Sequence, residues 1–203
     1  MRNSVGLVFG ILVVLGSLVA CRAADSAGME RACVKSGWKQ LKLNVSGRER
    51  IVLWNGPAQW TNGAIVVLHG GGGEAAHFCS GGWMVNPQIN FTEKAVARGF
   101  AVFALDATTD VVTDSAGKAC GKRFDFSVLD RPNVDLPYIE QVVSRVIPDS
   151  RPAKSNPSIF MTGLSTGGYM TIRAATRFND QITAFALISA GDPYGTDTNC
   201  DTA

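Results

Sequence analysis

Ser158-Ile159-Phe160-Met161-Thr162-Gly163-Leu164-Ser165-Thr166-Gly167-Gly168 is the stretch that decides how this chain folds. Its first part is a short apolar run without alternation, the pattern of a strand covered on both faces. Gly163 to Gly167 then match G-x-S-x-G, and Thr166 to Phe178 read as a helix. A strand that turns this abruptly into a helix holds its middle residue, Ser165, on a strained bend with the hydroxyl exposed. Residues two positions to either side must be small, because strand and helix approach each other there. Gly163 and Gly167 meet that need, and Gly168 extends the clearance. The helix N-terminus favours negative charge beside Ser165. The arrangement makes Ser165 a candidate nucleophile, although the bare string also fits a glycine-rich turn with no chemistry.

Working outward, Ala64 to Leu68, Phe100 to Leu105 and Thr183 to Ile188 repeat the continuous apolar style of strands in a parallel sheet. Helical candidates fill the gaps. Phe91 to Arg98 is one, and Ile139, Val142, Val143, Val146 and Ile147 recur at helical spacing, with Asp135 as a cap and Pro137 in the first turn. Upstream the period changes. Gln40 to Val45 alternates polar and apolar, Ser46-Gly47 is a turn signal, and Glu49 to Trp54 is a second strand, which predicts an antiparallel hairpin. The expected class is α/β: a mostly parallel sheet entered through an N-terminal antiparallel hairpin.

His69-Gly70-Gly71-Gly72-Gly73 follows the strand ending at Leu68. Acyl transfer develops an oxyanion, which needs fixed backbone N–H donors that no side chain obstructs. A glycine run lets the chain bend back and present them. Gly71, and after it Gly72, is the candidate donor to pair with the N–H of Thr166. A phosphate-binding P-loop would end in Gly-Lys-Ser/Thr, and a dinucleotide loop would open a helix as G-x-G-x-x-G. Gly73-Glu74-Ala75 does neither, so neither of those loops is expected.

The N-terminus predicts export. Arg2 precedes the apolar stretch Val5 to Ala20, too short and glycine-loosened for a stable membrane span, and Leu18-Val19-Ala20-Cys21 resembles a lipobox with Cys21 as the lipidation site. Ordinary cleavage a few residues later and a retained anchor are the alternatives. Residues 1–21 are expected to be the signal peptide, 22–37 a tether and 38–203 the domain. Export places Cys33, Cys79, Cys120 and Cys200 in an oxidising compartment, where they are expected to form disulfides in one of three pairings. No CxxC spacing occurs and the chain has only His69 and His77, so no metal site is expected. A net charge of +2 without basic runs argues against nucleic acid and leaves a lipid anchor as the expected route to a membrane.

The order hairpin, strand, glycine loop, helix, strand, helix, strand, elbow, helix, strand resembles the α/β-hydrolase superfamily over Gln40 to Gly191. Val66 to Gly73, Thr162 to Met170 and Asn133-Val134-Asp135 are similar to the secreted poly(3-hydroxybutyrate) depolymerase and feruloyl esterase-like enzymes. The resemblance implies hydrolysis of small or polymeric carboxylic esters through an acyl-enzyme on Ser165, without metal or organic cofactor and with His69 bracing the loop it opens. A serine peptidase of the same fold and a non-catalytic scaffold are the alternatives. The superfamily's acid and histidine follow the serine along the chain. No histidine follows Ser165 here, so the expectation is that C-terminal strands are missing and that the chain is a truncated, inactive portion. Asp192 is a lesser candidate for the acid, His69 and His77 are remote candidates for the base, and Asp106 is expected to be structural. Trp83 and the loop from Asp110 to Asn133 are candidates to border a pocket.

Overall fold

The computed structural model of the chain describes residues 26–107, 121–128 and 131–193. The expected signal peptide with Cys21, together with Cys120 and Cys200, lies outside the described residues. One mixed sheet of six strands organises the rest, in the order β1-β2-β4-β3-β5-β6. β1 (Lys39–Val45) and β2 (Arg48–Asn55) form the antiparallel hairpin, closed by Ser46 and Gly47, whose φ values of 51° and 77° fit a two-residue turn that follows the sheet's twist. β2 runs antiparallel to β4 (Phe100–Leu105). From there β3 (Gly63–Leu68), β5 (Ile159–Leu164) and β6 (Ala184–Ile188) join in parallel.

Alternate residues of the strands build two cores. Ala64, Val66, Phe103, Leu105 and Met161 face α3 (Leu136–Gln141), α4 (Ile147–Ser150) and α5 (Thr166–Arg177). Leu53, Val67, Val102 and Ala104 face α1 (Ser26–Lys35), a short 3-10 turn (Ala75–Phe78) and α2 (Asn86–Ala97), which a second, exposed 3-10 turn (Trp83–Val85) precedes. The helix expected around residues 139–147 is present, but it passes through a π-helical stretch, Val142–Val146, between α3 and α4. Pro148 lies just beyond; its ring and missing N–H disturb the preceding turn, a recognised cause of such widening.

Two local expectations are corrected. The described part of the expected tether is α1, held to the domain by the Cys33–Cys79 disulfide and by Ser26 Oγ donating to Glu74 Oε2 at 2.5 Å. Asp135 holds the N-cap position of α3, as expected, but its side chain makes no cap hydrogen bond. Asn133 Oδ1 accepts the N–H groups of Asp135 and Leu136 at 2.9 and 2.8 Å, while the Asp135 carboxylate meets Arg50 at 2.6 Å and accepts the Asp125 N–H at 2.6 Å. Arg50 and Asp135 are both almost fully buried, so the carboxylate serves a charge 85 residues away in sequence instead of its own helix.

Candidate active site

Connections leave β3 toward β4 on one side and from β4 to β5 on the other, so the strand order reverses between β3 and β5. Such a switch point opens a crevice at the carboxyl ends of the strands. The register pairs Leu68 with Gly163, which sets His69 and the glycine loop beside Leu164 and Ser165.

Ser165 sits on that edge with φ 51° and ψ −116°, outside the region open to ordinary residues and away from the left-handed helical minimum. Both sides of the bend are pinned. The Ser165 N–H donates to Ile188 O at 2.9 Å, and its carbonyl accepts the Tyr169 N–H at 3.0 Å. The flanking glycines leave no room for a side chain. A Cβ on Gly163 would lie 2.2 Å from Gly167 O, and one on Gly167 would lie 2.4 Å from His69 O and 2.5 Å from Leu68 O. Gly168 is equally confined, 2.4 Å from Ala190 Cβ. The elbow thus packs directly on the backbone that starts the glycine loop.

Of the two loop amides singled out, only one is uncommitted. The Gly72 N–H donates to Lys122 O at 2.9 Å, which removes Gly72 as an oxyanion donor. Gly71 faces the elbow, its Cβ position 3.6 Å from Thr166 Cγ2, and no hydrogen bond engages its N–H among the described residues. Thr166 opens α5, where a helix leaves its first N–H groups unpaired.

His69 is buried and fully committed. Nδ1 lies 2.8 Å from Gly70 O, and Nε2 lies 3.2 Å from the Ala107 N–H, which donates to it. Those partners fix a neutral ring with its proton on Nδ1. Burial holds the His69 pKa below its ordinary value, against the opposing pull of the Asp106 carboxylate. The His77 Nδ1 accepts the Glu74 N–H at 3.3 Å, and burial lowers its pKa as well. Neither ring is arranged to take a proton from Ser165. Asp106 is structural: Oδ1 accepts the Ala75 N–H at 3.2 Å, and Oδ2 pairs with the Lys122 ammonium.

Residues 121–128 form a wall beside the elbow. Phe126 stacks on Tyr169 with ring centres 5.1 Å apart, and the Arg173 guanidinium donates to Ser127 O. The rest of the loop named for the pocket border lies largely outside the described residues. Trp83 is 80 % exposed. An apolar cavity of about 300 Å³, lined by Val67, Phe78, Met84, Phe91, Thr162 and Ile188 among others, opens on the α2 side of the sheet and does not include Ser165. Asp192 follows β6 in an exposed position.

No family model matches the chain, and no curated protein matches it in sequence. Among solved structures, it is similar to a cold-adapted esterase from an Arctic intertidal metagenomic library, with a TM-score of 0.52 at 19% identity, over 76% of this chain and 61% of the esterase. Weaker likenesses are a fluorophosphonate-binding serine hydrolase of Staphylococcus aureus (TM-score 0.48, 14% identity, 73% of this chain and 55% of that one) and an epoxide hydrolase mutant of Vigna radiata (TM-score 0.47, 12% identity, 76% and 39%). The chain therefore spans about three-fifths of the length of that esterase. Sheet order, hairpin, crossing helices and the first of these likenesses together give the chain the α/β-hydrolase fold.

Proposed function

We propose that this domain is an exported serine ester hydrolase in which Ser165 is the nucleophile and the N–H groups of Gly71 and Thr166 receive the oxyanion. The observation that carries the reading is the backbone of Ser165: a serine held at φ 51° and ψ −116° between β5 and α5, facing a loop with an unpaired amide. Strain of this kind costs about 1–3 kcal/mol and survives where the surrounding structure enforces it, often at sites that use it. The Ser165 Oγ attacks the ester carbonyl, the alkoxide leaves with the proton from Oγ, and water then releases the acid from the acyl-enzyme. Proton transfer needs a base, and among the described residues neither histidine offers one. Likeness of the two motifs to depolymerase and feruloyl esterase-like enzymes puts polymeric and aryl esters first as substrates. Export agrees with the Cys33–Cys79 disulfide, and no described helix is long and apolar enough to cross a membrane. Cys21 remains the proposed lipidation site.

The test is hydrolysis of p-nitrophenyl acetate with imidazole supplied as an external base, every rate being taken after subtraction of the protein-free rate at the same imidazole concentration, because imidazole itself cleaves this ester. The expected result is little turnover without imidazole and an imidazole-dependent increment that Ser165→Ala removes. An increment that persists in Ser165→Ala, or none at all in the parent chain, rejects the esterase and favours a non-catalytic scaffold.

A further inference from the structure

We propose that Lys122 is a positioning residue for the glycine loop, holding it from two directions so that the Gly71 amide stays turned toward the elbow. Main chain and side chain act separately. The Lys122 carbonyl accepts the Gly72 N–H at 2.9 Å, and Lys122 pairs with Gly73 in an isolated antiparallel bridge. Gly121 carries this contact inward: at φ 141° its Cβ position lies 2.4 Å from Gly72 O, so only glycine lets the segment come this close. The Lys122 ammonium meanwhile reaches Asp106 Oδ2. Asp106 is 5 % exposed, and its other oxygen accepts the Ala75 N–H at 3.2 Å and lies 3.6 Å from His69 Nε2. Asp106 is itself fixed to the sheet, its N–H donating to Ile51 O at 3.3 Å and its carbonyl accepting Arg50 Nη2 at 2.9 Å.

The loop from His69 to Ala75 is thus tied at its middle by one Lys122 group and at its Ala75 end through the carboxylate that the other group neutralises. Four consecutive glycines have no side chains with which to fix their own conformation; inside the loop the Gly73 N–H donates to Gly70 O at 3.0 Å, and Lys122 adds the constraint from outside. Committing the Gly72 N–H to Lys122 leaves Gly71, whose Cβ position lies 3.6 Å from Thr166 Cγ2, as the one of the two loop amides without a partner among the described residues. The clamp stands on geometry alone; its value for catalysis rests on the esterase reading above.

Hydrogen exchange on the full chain separates the two. Lys122→Met keeps the main-chain contact but leaves the Asp106 carboxylate buried without its cation. Exchange across residues 69–77 is expected to rise about tenfold or more, with the β1–β2 hairpin unchanged and Lys122→Arg restoring the parent rate to within about threefold. Unchanged exchange at 69–77, an equal rise in the hairpin, or failure of arginine to restore the rate overturns the proposal. In the imidazole-supported assay, Lys122→Met is expected to lower kcat about tenfold with KM within about twofold, the pattern of a donor that acts in the transition state. A loosened loop with kcat unchanged overturns the catalytic part. A parent chain without Ser165-dependent turnover removes the esterase reading, and the exchange result still decides the clamp.

Discussion

Gly167→Ala tests the packing on which the elbow depends. Local propensity says the change is favourable, since alanine is worth about 1 kcal/mol over glycine inside a helix. The tertiary surroundings say the reverse. The new Cβ would lie 2.4 Å from His69 O, 2.5 Å from Leu68 O and 2.8 Å from Leu68 C, all backbone atoms. β3 is paired on both edges, with β4 and with β5, so those atoms have little freedom to retreat. α5 has to shift instead, and it carries Met170 and Ala174 of the core with it. Overpacking typically costs about 1–3 kcal/mol, and three backbone contacts under 3 Å put this site at the upper end. Subtracting the helix gain leaves a net destabilisation of about 2 kcal/mol. In a domain of this size that lowers Tm by about 4–8 °C. Urea and thermal unfolding, followed by circular dichroism, measure it. Gly82→Ala is the control, because nothing lies within 4 Å of its Cβ position and its φ is −80°; its stability should stay within about 0.5 kcal/mol. If Gly167→Ala is as stable as the parent or more so, α5 does not press on β3 as described, and the close approach of elbow and loop goes with it.

Three further outcomes are expected. Cys33→Ser with Cys79→Ser should cost up to about 4 kcal/mol in chemical unfolding, the loop-closure value for a link across 46 residues, and an effect below about 1 kcal/mol would mean that α1 docks without it. Asp135→Asn should destabilise by about 3–5 kcal/mol, because Arg50 stays buried opposite a neutral partner; a change under about 1 kcal/mol would remove the ion pair from the account. Burial depresses both histidine pKa values in the folded state, so the unfolded chain binds more protons below about pH 6.5. Stability should therefore be fully present above that pH and fall as pH drops toward 5.5, by up to about 1.4 kcal/mol per pH unit for His69 and less for half-buried His77. A flat or rising profile in that window would contradict the neutral, committed His69.

What the sequence made legible follows the range of the forces involved. The strands, the hairpin and the elbow are local patterns of apolar residues and glycines, and each was readable where it stands. α1 was not, because only Cys33 of its ten residues is fully buried, an apolar stripe too thin to register, and the disulfide supplies the docking. Asp135 has the residue type and position of a helix cap, but its partner Arg50 lies on β2, far outside any local window. Gly71 and Gly72 are identical in a string; the carbonyl that distinguishes them belongs to Lys122, some fifty residues further on. That His69 and His77 are both engaged elsewhere is likewise invisible until their partners, the Ala107 and Glu74 amides, are placed.

The bend at Ser165 sets function against stability, and one pair of variants measures the conflict. At φ 51° and ψ −116° any residue with a Cβ is strained, so Ser165→Ala removes the hydroxyl and keeps the strain. Ser165→Gly removes both. Relief of the backbone is worth about 1–3 kcal/mol, and the extra freedom of glycine in the unfolded chain takes back up to about 1 kcal/mol. The glycine variant should thus exceed the alanine variant by about 1 kcal/mol, while both lack Ser165-dependent turnover. Glycine would be the better residue for the fold alone, and serine stands there nonetheless. Equal stability of the two variants in urea unfolding would show that the bend holds no strain, and the main reason to read Ser165 as a nucleophile would be lost.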